Sequence, residues 1–265
     1  MQESEYEQMY KLESFYWWFV ARRKLVRDLV RDCKTPKDGN LLDLGCGTGL
    51  NCLMLSEFGS VKGTDLSEKA IEFSRQRGVN DLVQCDAEDL KLPDSTFDVV
   101  TALDVLEHVN DDLLALSEMF RVLKPGGWLI ITVPAYGFLW SEHDEALHHR
   151  RRYVAHELRN KVMNAGFTLE RSTYFLTSLF FPILFFRTVQ NLSRKSLRAS
   201  TSHVILPEWA NTLLIKILDL ERLYLRVSNL PFGVSLICAA RKPTNSWDGV
   251  PAASYAGAAS HSSGS

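Results

Sequence analysis

Three glycines at alternate positions are the feature of this 265-residue sequence with the clearest chemical meaning. Gly45, Gly47 and Gly49 follow the short apolar run 41–44 and precede a segment with helical spacing. Glycines at such a place let the backbone turn sharply and let a ligand approach without a Cβ in the way. The N–H groups at the start of the following helix lack intrahelical partners and can face the same ligand. The segment therefore predicts a ligand-binding turn between a buried strand and a helix.

The acidic residue before these glycines narrows the choice of ligand. A dinucleotide-binding turn reads G-x-G-x-x-G and seats a pyrophosphate on the helix start. Here the third glycine arrives one residue early, and Asp43 stands two residues before the first glycine. Its carboxylate would repel a pyrophosphate but suits the ammonium and sulfonium groups of a cationic cofactor. The spacing therefore disfavours a nicotinamide oxidoreductase.

Alternating strand-like and helix-like segments supply the scaffold for this turn. Strand character is found at 41–44, 60–65, 82–85, 97–103, 128–133, 168–175 and 234–240, and helical spacing at 3–33, 50–58, 68–77, 111–123 and 154–165. Such alternation predicts a parallel sheet covered by helices on both faces. We expect an α/β fold with a Rossmann-like, seven-stranded, mostly parallel sheet, an N-terminal helical cap, and a helical insert before the last strand.

The segment LDLGCGTG resembles the first motif of class I S-adenosylmethionine-dependent methyltransferases. The resemblance covers about 38–134, including KPGGWLIITVP, and implies S-adenosyl-L-methionine as the cofactor. It implies that Asp65 binds both ribose hydroxyls, because a carboxylate can accept two hydrogen bonds. By the same resemblance, Asp86 takes the adenine amino group and Asp104 lies beside the methionine part. The complete set of expected cofactor residues is Trp18, Arg22, Asp43, Gly45, Cys46, Gly47, Gly49, Asp65, Leu66, Asp86, Ala87, Leu103 and Asp104.

The N-terminal run ESFYWWFVARRKLV resembles a leader of many bacterial small-molecule methyltransferases, which folds over the cofactor mouth. Arg22 would offer a cationic fork to the cofactor carboxylate. Trp18 or Phe19 would offer an aromatic wall that attracts the sulfonium. The alternative is that the aromatic residues are core and that Arg22 forms a surface ion pair. We divide the chain into a helical cap at 1–36, a methyltransferase domain at 37–242, and a disordered tail at 243–265.

Candidate catalytic groups are His108, after the fourth strand, and His143 and Tyr153, after the fifth. Class I enzymes usually build the acceptor pocket on that side. Imidazole has an ordinary pKa near 6.5, which suits proton removal at neutral pH. The alternative for His108 is a packing histidine that shapes its loop.

The segment 141–153 is rich in histidine and arginine and leaves several interpretations open. Arg150, Arg151 and Arg152 could hold a phosphate or carboxylate of the substrate, or could form a solvated helix start. The set His143, Asp144, His148 and His149 carries metal-ligand side chains, but its spacing matches no compact motif. We therefore predict no metal site.

An apolar insert at about 175–230 carries more aromatic and aliphatic bulk than a surface loop needs. It could be a lid over a hydrophobic substrate, an interfacial helix pair on a membrane, or a homodimer surface. Arg187 and the basic residues at 194, 195 and 198 would suit anionic headgroups. Its run FLTSLFFPILFF is too short to span a bilayer. The architecture resembles methyltransferases of polysaccharide and lipid-linked sugar assembly, which implies a hydrophobic or lipid-linked acceptor.

Composition and charge restrict the classes of partner and the cellular compartment that the sequence allows. The formal net charge of −2 and the lack of a basic stripe with interleaved aromatic residues disfavour nucleic acid as a partner. Five scattered cysteines indicate reduced thiols and a cytoplasmic protein, with membrane association as an addition. We expect methyl transfer to oxygen or carbon of a small acceptor. The alternatives are an aminopropyl transferase on the same scaffold and a non-catalytic cofactor-binding or membrane-docked scaffold protein.

Overall fold

A computed structural model describes residues 3–192 and 206–244 and contains one seven-stranded sheet. The strands are β1 (Gly39–Leu44), β2 (Gly59–Asp65), β3 (Leu82–Gln84), β4 (Phe97–Leu103), β5 (Leu123–Pro134), β6 (Thr168–Phe175) and β7 (Ser235–Arg241). Their order across the sheet is β3-β2-β1-β4-β5-β7-β6, and β7 runs antiparallel to both of its neighbours. The predicted Rossmann-like, mostly parallel sheet is confirmed.

Helices cover both faces of this sheet. They are α1 (Glu3–Leu12), α2 (Trp17–Asp32), α3 (Leu50–Leu55), α4 (Glu68–Gln76), α5 (Asp112–Val122), α6 (Glu142–Ala146), α7 (Ala155–Asn164), α8 (Phe180–Leu192) and α9 (Glu208–Tyr224). One apolar core lies between the sheet and the pair α5 and α7, and a second lies between the sheet and α2, α8 and α9. The predicted N-terminal helical cap and the helical insert between β6 and β7 are both present.

The strand order creates a crevice beside the central strands. The chain proceeds outward from β1 to β3 and then crosses back to place β4 on the other side of β1. In open α/β sheets, ligands bind outside the carboxyl ends of the strands at such a reversal. The glycine turn follows β1 directly, so the fold positions it at this crevice.

Polar contacts tie the cap to the insert. Lys24 of α2 donates to Asp219 of α9 at 2.6 Å, and the backbone N–H of Trp17 donates to Asn211 at 2.9 Å. The insert is therefore joined to the rest of the fold through α2 as well as through β6 and β7. Among the residues that the structure describes, no helix has the length and apolarity needed to cross a bilayer. The basic residues at 194, 195 and 198 and most of the predicted tail lie outside the described residues.

Candidate functional site

A cavity of about 850 Å³ opens at the carboxyl ends of the central strands. The glycine turn forms its floor, α1 and α2 form one wall, and the loop after β4 forms another. At the far end the cavity continues between the segment 141–152 and the insert helices. One end is thus bounded by backbone and polar groups and the other mainly by apolar side chains.

The glycine turn adopts backbone angles that favour glycine. The φ angles of Gly45 and Gly47 are +70° and +56°, in the left-handed region that residues with a Cβ rarely adopt. A Cβ at Gly45 would lie 2.5 Å from a methyl group of Val105, so there is no space for a side chain. Gly47 and the neighbouring Cys46 line the cavity. The turn therefore presents bare backbone to any ligand.

Asp65 ends β2 beside the glycine turn, as predicted. One carboxylate oxygen accepts the Gly47 N–H at 3.0 Å, and the other accepts the Ser67 N–H at 2.9 Å. Burial raises the pKa of this carboxyl, while the two backbone N–H groups act to lower it. The side chain lines the cavity, where it can accept further hydrogen bonds from a pair of hydroxyls.

Four further predicted cofactor residues also meet at the cavity. Leu66, Asp86, Ala87 and Leu103 all line it. Asp86 accepts the Glu88 N–H at 2.9 Å, which fixes the carboxylate at the turn after β3. These residues come from three strand ends, which the parallel sheet brings to one edge.

Two predicted cofactor residues lie outside the cavity lining. Asp43 is fully buried under the turn, where it accepts the Thr101 hydroxyl at 2.7 Å, and burial raises its pKa to about 6. Gly49 begins α3 and packs against Ser74. Both residues support the turn, and neither lies at the cavity surface.

Arg22 and Asp104 face each other across the mouth of the cavity. They form an ion pair, and the guanidinium lies 4.3 Å from the centre of the Trp18 ring. The Thr132 hydroxyl donates to the second oxygen of Asp104 at 3.0 Å. The buried Nε of Arg22 has no hydrogen-bond partner within the described chain. This pair therefore presents one cationic and one anionic group, as a zwitterionic amino-acid moiety would require.

Helix α1 covers the turn, a role that no motif in the sequence indicated. The Tyr6 hydroxyl donates to Asp65 at 3.5 Å, and the sulfur of Met9 lies 3.2 Å from the position of a Gly47 Cβ. Glu13 accepts the Thr48 hydroxyl and pairs with Arg77 at 2.9 Å. A helical spacing alone could show that α1 exists, but it could not show which turn the helix covers.

The predicted catalytic residues separate in the structure. His108 and His143 line the cavity, whereas Tyr153 is fully buried outside it and donates to Asp112 at 2.9 Å. Burial and the neighbouring His149 lower the pKa of His108 to about 3. His108 is therefore neutral at physiological pH and is a weak base.

The segment 141–153 is organised around one buried carboxylate. Asp144 accepts from the Ser141 N–H at 2.9 Å, from Nδ1 of His149 at 2.8 Å and from Nε of Arg152 at 2.8 Å. These contacts hold the pKa of Asp144 well below its usual range. Arg187 reaches the same carboxylate at 3.9 Å.

These contacts correct two predictions about arginines. The suggestion that Arg187 faces anionic headgroups was wrong, because its side chain turns inward to Asp144 and the Leu139 carbonyl. Arg151 and Arg152 were offered as ligands for a substrate anion, but they pair with Asp112 and Asp144. Arg150 lines the cavity and donates to the His108 carbonyl at 3.0 Å.

The far end of the cavity is apolar. Its lining includes side chains from the insert and from the loop before α8, namely Leu176, Leu179, Pro182, Ile183 and Leu214. Outside the cavity, α8 and α9 expose large apolar side chains, among them Phe181, Phe185, Trp209, Leu213 and Leu220. The insert is thus apolar on its inner surface and over part of its outer surface.

Comparison with known proteins agrees with this geometry. Residues 42–131 match the family described as "Methyltransferase domain". The chain is 30% identical over 158 residues to a probable S-adenosylmethionine-dependent methyltransferase of Mycolicibacterium smegmatis, with 58% of this chain and 60% of that protein covered. It is 36% identical over 134 residues to a demethylmenaquinone methyltransferase of Staphylococcus aureus, with 48% and 54% covered. The matched region thus spans little more than half of each curated relative.

Solved structures share the fold. The [4+2]-cyclase SpnF is 25% identical with a TM-score of 0.54, covering 83% of this chain and 80% of that one. Phosphoethanolamine N-methyltransferase 2 of Haemonchus contortus, solved with S-adenosyl-L-methionine, is 23% identical with a TM-score of 0.55, covering 83% and 52%.

Residues 42–131 thus match a methyltransferase domain, and the sheet order and the glycine turn are those of the class I S-adenosylmethionine-dependent methyltransferase fold. The matched family and relatives support S-adenosyl-L-methionine as the cofactor. The residues present fit that cofactor. Gly47 lines the cavity without a side chain, and Arg22 with its unpartnered Nε and Asp104 complement the two charges of the methionine end.

Proposed function

We propose that the protein transfers a methyl group from S-adenosyl-L-methionine to an oxygen or carbon atom of a hydrophobic or lipid-linked acceptor. The observation that carries the acceptor class is the apolar far end of the cavity, which the insert supplies. An apolar pocket with a few converging polar groups is typical of small-molecule sites. The similarity to a demethylmenaquinone methyltransferase is consistent with such an acceptor.

The protein's own residues would act mainly by alignment. Asp65 and Asp86 would hold the adenosine end, and Arg22 and Asp104 the amino-acid end. The bound cofactor supplies an already activated methyl group, so in-line positioning of the acceptor accounts for much of the rate. The loop after β4 and the segment 141–152 would fix the acceptor.

Proton removal from an oxygen or carbon acceptor requires a further group. The low pKa of His108 and the position of Tyr153 outside the cavity leave His143 as the original candidate best placed to act as a base. A pH profile of turnover for His143→Asn, set against that for His108→Asn, tests this assignment.

The exposed face of α8 and α9 would dock on a bilayer and admit an acceptor from it. Phe185 is 72% exposed and Trp209 is 71% exposed, and aromatic side chains of this kind are favoured at membrane interfaces. The inner surface of the same helices lines the cavity, so a path from lipid to the site would be continuous. A cytoplasmic location accompanies this proposal, and the five unpaired cysteines fit a reducing compartment.

Methyl-labelled cofactor and two substrate pools test the proposed function. The chain is incubated with a bacterial lipid extract or with an aqueous metabolite extract, with Asp104→Asn as the cofactor-site control. We expect label in the organic phase, and much less label with the control variant. Label in the aqueous pool alone would contradict a hydrophobic or lipid-linked acceptor. Binding of S-adenosylhomocysteine without transfer to either pool would favour the non-catalytic alternative.

Vesicle flotation tests the docking surface separately. The wild-type chain should float with phosphatidylcholine and phosphatidylglycerol vesicles, and the double variant Phe185→Ser/Trp209→Ser should remain in solution. Light scattering on the same samples reports the oligomeric state. A wild-type dimer that the double variant abolishes, with no flotation of either protein, would assign this face to self-association instead.

A further inference from the structure

Three metal-ligand side chains converge at the acceptor end of the cavity. One ligand atom from each of Glu107, His108 and His149 lies within 4.8 Å of the other two. All three residues line the cavity. Glu107 and His108 are adjacent in the loop after β4, whereas His149 comes from the segment after β5. The cluster is distinct from the groups assigned to the cofactor.

Glu107 is the unexplained member of this cluster. It is fully buried, and neither carboxylate oxygen has a hydrogen-bond partner among residues 3–192 and 206–244. An ionised carboxylate buried without compensation is strongly destabilising, and burying even a neutral polar group without a hydrogen bond is unfavourable. A cation held against these two oxygens would remove the penalty. The side chain thus has the environment of a ligand rather than that of a packing residue.

His149 is oriented as metal-binding histidines usually are. Its Nδ1 hydrogen-bonds to the carboxylate of Asp144 at 2.8 Å, which leaves Nε2 as the nitrogen with an available lone pair. A carboxylate behind a histidine fixes the ring and raises its basicity as a ligand. Asp144 is itself held by Arg152, so this support is rigid. The His108 ring packs edge-on against His149 at 4.7 Å between centroids.

We propose that Glu107, His108 and His149 bind one divalent transition-metal ion. Two imidazole nitrogens and one carboxylate suit zinc, iron(II) or manganese. Three protein ligands also leave coordination positions open for an acceptor. The predicted absence of a metal site considered only residues 143–149, and it omitted the two ligands that lie 41 and 42 positions before His149.

The role of the ion follows from where the cluster lies, and this step rests on the proposed function. An ion at this end of the cavity would polarise a hydroxyl oxygen of the acceptor. The hydroxyl proton then passes to His143, the base proposed above, and an oxygen electron pair forms the new C–O bond. The C–S bond breaks with its electron pair remaining on sulfur. The acceptor class thereby narrows to compounds with an acidic hydroxyl, such as phenols and enols, and no strongly basic side chain is required.

Cobalt(II) is a suitable probe because its visible absorption reports the number and type of its ligands. The untagged chain is treated with a chelator, dialysed and titrated with Co²⁺, followed by absorbance and by calorimetry. Glu107→Gln and His149→Ala remove one ligand each. His156→Ala is the matched control, because His156 is an exposed histidine at the start of α7. Thermal unfolding and titration with S-adenosylhomocysteine on each variant show whether the fold and the cofactor site persist.

We expect one Co²⁺ per wild-type chain, an affinity at least tenfold lower for each ligand variant, and an unchanged affinity for His156→Ala. Absence of stoichiometric binding to the wild-type chain would overturn the proposal. So would binding that neither ligand variant weakens while both remain folded. Binding of S-adenosylhomocysteine without Co²⁺ would reject the metal site alone, and Co²⁺ binding without S-adenosylhomocysteine would reject the proposed function instead.

Discussion

The two ends of the cavity are built by different means. At the cofactor end, a turn and the residues directly after β2, β3 and β4 meet because parallel strands finish at one edge. At the acceptor end, side chains distant in sequence meet through buried charges. Asp65 at the cofactor end accepts backbone N–H groups of Gly47 and Ser67, whereas Asp144 at the acceptor end is held by the side chains of His149, Arg152 and Arg187.

This difference predicts which substitutions should disrupt each end of the cavity. The cofactor end depends on space and backbone conformation, since its turn is packed against Val105 and covered by α1. The acceptor end depends on electrostatic balance, since Asp144 compensates two buried arginines and a histidine. Substitutions should therefore separate into losses of binding at one end and losses of stability at the other.

Asp144→Ala should have the largest effect. Removing one partner of a buried ion pair costs about 3–5 kcal/mol, because the remaining charges stay buried without compensation. We expect a loss of that size in the free energy of unfolding, measured by urea denaturation. Glu145→Ala, an exposed neighbour on α6, should change it by less than about 0.5 kcal/mol. A loss below about 1 kcal/mol for Asp144→Ala would contradict the claim that this carboxylate compensates the charges around it.

Asp43 should make stability depend on pH. Its pKa is raised from 3.8 to about 6 by burial, so the folded state holds the proton more tightly than the unfolded chain does. The stabilisation is present below pH 4 and is lost as the pH rises through 6, by up to about 3 kcal/mol. Asp43→Asn should therefore be more stable than wild type at pH 7, with the difference closing near pH 4.

Urea denaturation of the cofactor-free proteins at several pH values measures this difference. Asp38→Asn changes an exposed carboxyl and should follow the wild-type curve. Parallel curves for wild type and Asp43→Asn from pH 4 to 7 would show that Asp43 is not buried as described.

Gly47→Val should lower the affinity for S-adenosylhomocysteine at least 100-fold, which is about 2.7 kcal/mol. The branched side chain would enter the cavity beside Met9 and would be strained at a φ of +56°. Calorimetric titration measures the affinity. Gly137→Val is the control, because a Cβ at Gly137 meets no atom within 4 Å. An affinity within tenfold of wild type would mean that the ligand does not approach the turn.

Asp65→Asn should have the smallest effect, a decrease of about tenfold in the same titration. Asparagine keeps the size and one acceptor oxygen but loses the charge and one of the two bonds expected for the ribose. Asp81→Asn alters an exposed residue paired with Lys62 and should leave the affinity unchanged. Equal affinities for all three proteins would refute the ribose role of Asp65.

Much of the fold could be predicted because strand-like and helix-like patterns alternate clearly. The strand predicted at 97–103 has the same bounds in the structure, and α5 ends within one residue of its prediction. However, β5 begins at Leu123 rather than at Trp128. The strand-like pattern begins only at Trp128, whereas in the structure Leu123 already pairs with Phe97 across an irregularity in the ladder.

Only part of the candidate site could be predicted from the sequence. Asp65 and Asp86 could be located because a motif and a strand end fix their positions. Asp43 is part of the same motif, but it lies within β1, where successive side chains point to opposite faces, and it bonds to Thr101 on the adjacent strand. The proximity of Glu107 to His149 depends on how the 41 intervening residues fold. No local sequence pattern predicts it.

The most direct test of the account is a crystal structure of the chain with S-adenosylhomocysteine. The adenosyl group should lie across the carboxyl ends of β1 and β2, with its ribose hydroxyls on Asp65 and its amino-acid end between Arg22 and Asp104. A ligand seated elsewhere, or ribose hydroxyls that make no contact with Asp65, would contradict it.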